Sequence, residues 1–330
     1  VIVNAGISNV CTGRRGLEDA RLMTRLAAEA VGARPEEFLV ASTGVIGVSL
    51  PMDKIAHAMA RLASSLGPEG WDAFSRAIMT TDTKPKVSRR ELCLGGDRPA
   101  SILGVCKGSG MIEPNMATML AFLMTDYPLT PELAGAMLRR AADQTFNRVT
   151  VDGDTSTSDM AILLANGAAA AGASVAQGDD ERFESALRQV CEELARMIAR
   201  DGEGATCLVV VEVEGADAES DALRIAKTIA NSLLVKTAVF GRDPNWGRIC
   251  AAAGRAGVAF IPDNVSLRLQ GMILFQGGMP LPFDRATLAR ALDAPDVMIQ
   301  LRVGTGPGHA RVWTCDLTLD YVKINAEYTT

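Results

Sequence analysis

The sequence predicts an α/β fold with a smaller α+β unit toward the C-terminus, and three observations predict it. Strand-like apolar runs alternate with windows of helical periodicity along most of the chain. The 330 residues, 48% hydrophobic and 22% charged, suffice for one large core or two unequal ones. Beyond Asp243-Pro244-Asn245 the strands shorten and Gly and Pro become more frequent, which divides the chain into residues 1–240 and 241–330.

The elements follow in order. VIVNAG, beginning at Val1, is apolar and strand-like, as in a chain whose start was removed or that opens within a domain. Leu17 to Val31 has the spacing of an amphipathic helix, and Phe38 to Ser42 that of a short buried strand. Pro51 stands where a first helical position tolerates proline and opens a helix to about Leu66; Trp71 to Met79 forms another. Ser101 to Cys106 is strand-like. The glycine-punctuated Lys107 to Pro114 then leads into the apolar run Met116 to Met124. Helices near Pro131 to Thr145 and Glu181 to Arg200 alternate with strands near Asp159 to Leu164 and Thr206 to Val213, and Asp221 to Leu234 reads as one further helix. The last part holds a helix near Arg285 to Leu292 and strands at Val297 to Val303 and Arg311 to Leu317.

Composition removes several function classes. Lys and Arg number 33 against 39 Asp and Glu, so the net charge of −6 has the wrong sign for electrostatic binding of nucleic acid. Seven scattered cysteines, none spaced C-x-x-C, fit buried free thiols in a reducing cytoplasm. Two histidines, His57 and His309, cannot build a Cys/His zinc site at the usual spacings. Asp152, Asp154, Ser156 and Ser158 resemble the start of a calcium loop, but Thr157 and Leu163 stand where such a loop needs Gly and Glu, so no metal is expected. The longest uncharged run, Met160 to Gly178, is interrupted by Asn166, Gly167 and Ser174 and makes a poor membrane span.

Common catalytic signatures are missing: no phosphate-binding G-x-x-x-x-G-K-[ST], no G-x-S-x-G, no H-E-x-x-H, no G-x-G-x-x-G after a strand. What stands out is the density of Gly, Ser, Thr and Asn near strand ends, in segments around Thr43, Thr81, Gly108, Thr118, Thr155 and Gly202. Each is ordinary turn chemistry taken alone. Together they suggest loops that offer N–H groups and hydroxyls to a small polar ligand. Thr118, flanked by Met, Ala, Met and Leu, is either a β-branched core residue or a nucleophile. A threonine needs no histidine if the peptide bond before it is cut, because its own α-amine then serves as base.

The segments STGVIG (Ser42 to Gly47), TTDTKPK (Thr80 to Lys86), KGSGMIEPNMATML (Lys107 to Leu120), DGDTSTSD (Asp152 to Asp159), DGEGAT (Asp201 to Thr206), VKTAVFGRDPNWGRI (Val235 to Ile249) and INAEYTT (Ile324 to Thr330) resemble the ornithine acetyltransferase family. These are the glutamate N-acetyltransferases of arginine biosynthesis. The resemblance implies an α/β/β/α layered catalytic domain plus a smaller domain, and self-cleavage between Ala117 and Thr118. It implies oligomers built from the two fragments, and ping-pong transfer of acetyl from N-acetylornithine to glutamate through Thr118. No cofactor is implied; whether acetyl-CoA is a second donor stays open.

Carried over residue by residue, the resemblance makes Thr43 and Gly44 the oxyanion pair. It makes Thr81, Lys107, Thr118, Glu203, Asn325 and Thr330 substrate contacts, with Thr80 a one-residue alternative to Thr81. Lys107 suits a substrate carboxylate, and Glu203 the distal ammonium of ornithine. One stretch departs from the family pattern: Asn4-Ala5-Gly6-Ile7-Ser8-Asn9-Val10-Cys11-Thr12-Gly13 differs at Ile7 and Ser8. Two other readings of the pocket stay open, an amidohydrolase or aminopeptidase with the same nucleophile, and an unprocessed binding protein.

Overall fold

The computed structural model describes residues 1–95, 98–113, 119–170 and 175–327. Strands β1 (Ile2–Ile7) and β2 (Val40–Val45) form a two-stranded parallel sheet. Helices α1 (Gly13–Val31) and α2 (Met52–Ser64) pack against each other on its outer side. Its inner side meets a second sheet, in which β3 (Lys86–Leu94), β4 (Arg98–Lys107), β5 (Leu120–Thr125) and β6 (Met160–Ala165) lie in that order. Val3 and Ala41 pack there with Val105, Leu120, Phe122 and Ile162, joined by Phe74 from α3 (Trp71–Ala77).

Period-2 alternation sends Ile102, Ala121 and Leu123 to the opposite face, under α4 (Pro131–Gln144) and α5 (Asp179–Arg200). β5 is apolar on both faces, which is why its sequence reads as a continuous run. The layers are therefore α/β/β/α, as the resemblance implied.

The far side of α5 faces a six-stranded sheet. β7 (Leu208–Ala216) runs through its interior between β11 (Asp296–Arg302) and β12 (Gly308–Cys315), and β8 (Ser266–Leu269), β9 (Met272–Gln276) and β10 (Met279–Pro280) continue beyond β11. Val209, Val211 and Val213 point to the other face, against α6 (Glu219–Ala230) and α8 (Trp246–Gly254). Because β7 pairs with β11 and β12, hydrogen bonding crosses the expected division at 240/241. The apolar character of β7 resembles the strands before it, while its partners lie some ninety residues or more later, which composition alone does not reveal.

The helix expected over Asp221 to Leu234 is interrupted. Ser232 accepts a hydrogen bond from Val235 N–H and starts a new helix, α7 (Leu233–Phe240). Two later helices, α9 (Arg285–Ala291) and α10 (Leu319–Glu327), complete the chain. No described helix is long and apolar enough to cross a membrane.

Phe183 of α5 is fully buried and stacks on Tyr127, ring centroids 4.5 Å apart. Phe183→Ala is expected to lower unfolding free energy by roughly 3–5 kcal/mol, read from urea denaturation; a loss under about 1 kcal/mol contradicts this packing.

Candidate active site

A cleft whose free space, open mouth included, is about 690 Å³ lies where the end of β2, the end of β4, α10 and the loops around Thr80, Gly110, Asp154 and Glu203 converge. Thr43, Gly44, Thr81, Lys107, Glu203 and Asn325 all line it, although they come from five separate stretches of sequence. Ala117, Thr118 and Thr330 lie outside the described residues.

Gly44 sits opposite Gly6 in the parallel pair of β1 and β2, with φ of 126°. A Cβ there would lie 2.3 Å from the Gly6 carbonyl carbon, so only glycine allows β1 to pass. Thr43 beside it is buried. The departing Ser8 falls next to this point: its hydroxyl and N–H donate to Val45 O at 2.9 and 3.0 Å, so the change fastens the end of β2.

Lys107 ends β4 and donates from Nζ to Thr80 Oγ1 at 3.1 Å. Thr80 and Thr81 thus both reach the cleft, and it is Thr80 that meets the lysine. Burial holds the Lys107 ammonium below its ordinary pKa, opposed by the negative charges of Asp82, Asp159 and Glu203.

Across the cleft Glu203, 5% exposed, accepts from Asn325 Nδ2 at 2.8 Å. Asp152 takes the N–H groups of Met111 (2.7 Å), Ile112 (2.8 Å) and Asp154 (3.2 Å). These bonds stabilise Met111 at φ 55°, a left-handed conformation that strains a residue with a side chain. Tyr321 also hydrogen-bonds Asp152, and burial with the neighbouring carboxylates pushes its hydroxyl pKa up. Nothing in the sequence singles out Tyr321, which α10 carries into the cleft, nor Asp152 as an acceptor of backbone bonds.

The loops also differ from expectation in one respect. The N–H groups of Thr80, Gly108, Met111 and Ile112 point at Asp82 and Asp152, not into open space for a ligand. What the cleft offers among the described residues is one cation, several hydroxyls and the carboxylates of Asp152, Asp154 and Glu203 in a single lining.

A layered α/β/β/α chain with a polar cleft where sheet ends and loops meet has the architecture of an enzyme acting on small molecules. The family model described as ArgJ family matches residues 1–330. The chain is 52% identical to the arginine biosynthesis bifunctional protein ArgJ of Thermus thermophilus, covering all of this chain and 83% of that one. It is 50% identical to ArgJ 1 of Nostoc sp., over all of this chain and 82% of the relative. The crystal structure of the Bacillus halodurans protein of the same name superposes with a TM-score of 0.60 at 40% identity, over 63% of this chain and 98% of that one. The chain belongs to the ArgJ family.

Asp159 stands just before β6 with one carboxylate oxygen buried and unpartnered among the described residues. Burial pushes its pKa up to about 8, against the pull of Lys107. A folded pKa above the unfolded one means that the folded chain binds this proton more tightly, so stability falls as pH rises from about 4 toward 8. Asp159→Asn removes that loss: the variant should melt above the native chain at about pH 8, with a smaller gap at about pH 5. Equal gaps at both values contradict the assignment.

Proposed function

We propose that this chain cleaves itself between Ala117 and Thr118 and then transfers acetyl from N-acetylornithine to glutamate in two half-reactions. The observation that carries the reading is that Lys107 and Glu203 line one cleft, a cation for ornithine's carboxylate and a carboxylate for its distal ammonium. Family membership over the whole chain supports the same chemistry.

After cleavage the α-amine of Thr118, with an unperturbed pKa of about 7.7–8.0, takes the proton of its own hydroxyl. The oxygen attacks the acetyl carbonyl, and Thr43 hydroxyl with Gly44 N–H stabilises the oxyanion. The C–N bond breaks, the proton passes to the departing α-amine of ornithine, and acetyl remains as an ester on Thr118. The α-amine of glutamate then attacks the ester and restores the hydroxyl. Lys107 and Thr81 hold the α-carboxylate, Glu203 and Asn325 the distal end, and Thr330 closes the set. Side chains and the chain's own amine suffice, with no cofactor or metal.

The two fragments, residues 1–117 and 118–330, stay together, and the segment 241–330 shares the sheet of β7 and adds the C-terminal contacts. Pairs of fragments assemble into oligomers, and the enzyme works in the cytoplasm. The relatives are named bifunctional, which supports acetyl-CoA as a second donor.

Incubation with N-acetylornithine should yield N-acetylglutamate only when glutamate is present; acetate release independent of acceptor would instead identify an amidohydrolase. Thr43→Ala should lower kcat by roughly 10²–10³ with KM little changed. Unchanged turnover removes Thr43 from the oxyanion pair.

A further inference from the structure

Behind the cleft lies a residue that touches none of its contents. Lys86, the first residue of β3, is 1% exposed and buried beneath the lining. Its Nζ donates to Asp82 Oδ1 and to Asp201 Oδ2, each at 2.6 Å, and to Lys84 O at 3.3 Å. Asp82 in turn accepts from Gly108 N–H at 2.7 Å and from Thr80 N–H at 3.1 Å. Asp201 accepts from Thr83 N–H at 3.0 Å, from Lys84 N–H at 3.4 Å and from the Thr83 hydroxyl. The ladder continues to the far wall: Ser109 Oγ donates to Asp201 O at 2.6 Å, and Glu203 N–H donates to Ser109 O at 3.1 Å.

One ammonium therefore joins three segments that are distant in sequence, and each carries a cleft residue: Thr81, Lys107 and Glu203. Buried ion pairs add little net stability over apolar residues of the same volume. What a fixed pair of short charged hydrogen bonds supplies is distance and direction.

We propose that Lys86 is a positioning residue, which by clamping Asp82 to Asp201 fixes the span from Lys107 to Glu203 and so selects substrates with a distal cation at ornithine's length. The inference rests on the function proposed above. Lys86 touches no substrate; it acts through the two walls.

The test uses the full chain with Lys86→Met and compares kcat/KM for N-acetylornithine with that for N-acetylalanine, which lacks the distal ammonium. The preference for N-acetylornithine should fall by about tenfold or more. A merely structural role lowers the active fraction for both substrates alike, so an unchanged preference overturns the proposal. Lys86→Arg, which keeps the cation, should recover part of the preference; a preference no better than that of Lys86→Met overturns it too. Where Lys86→Met fails to fold, Asp201→Asn removes the charge that pairs with the Lys86 ammonium and should also lower the preference. No change in that variant is again fatal. Calorimetric titration with ornithine reads the clamp without turnover: binding should weaken by about tenfold in the variant, and equal affinity overturns the clamp. A native chain that binds ornithine but transfers no acetyl contradicts the proposed function instead.

Discussion

Loop segments gathered at the ends of sheets leave backbone N–H groups that no ladder can satisfy, and each one buried without an acceptor costs about 1–3 kcal/mol. In this protein aspartates meet that demand. Asp82 serves Thr80 and Gly108, Asp152 serves Met111, Ile112 and Asp154, and Asp201 serves Thr83 and Lys84. Asp316 does the same for Thr206 and Cys207, where the DGEGAT loop leads into β7. A charged acceptor makes a shorter and stronger bond than a carbonyl does. The loops are thereby rigid enough to carry a site built from distant pieces.

That solution brings a second problem, the concentration of negative charge around the cleft. Lys86 neutralises part of it from within the protein, and its two salt bridges oppose the penalty of burying all three groups. Lys107 lies nearer the surface of the cleft and is held less securely in its charged form, between burial on one side and Asp82, Asp159 and Glu203 on the other. Two lysines in the same small volume thus have different places, one joined to the walls behind the cleft and one open to a ligand. The thiols take no part in this balance: burial pushes Cys106 and Cys207 up to about 12, which leaves them protonated and unreactive.

The alternation of strands and helices and most of the cleft are legible in the sequence, for two separate reasons. Period-2 and 3.6-residue patterns mark β4, α4 and α5 because their buried faces are regular. Thr43, Gly44, Lys107, Glu203 and Asn325 stand in motifs that keep their order along the chain. Long-range pairing was hidden. β3 carries Lys86, Arg89, Arg90 and Glu91, so its composition argues against a strand, and only the ladder with β4 makes it one. Lys86 meets Asp201 across 115 positions, and β7 meets β11 across some ninety, separations at which neither spacing nor composition carries a signal. The break at Ser232 depends on one side chain accepting one N–H, too local an event to show in a helical average.

The central claim is that residue 118 carries the acetyl group. Chain incubated with N-acetylornithine in the absence of glutamate can be quenched in acid, digested and sequenced by mass spectrometry. The account predicts a peptide that begins at Thr118 with a single acetyl ester on its hydroxyl, and the loss of that ester as N-acetylglutamate once glutamate is added. An intact Ala117–Thr118 bond in active protein, or acetyl on another side chain, contradicts it.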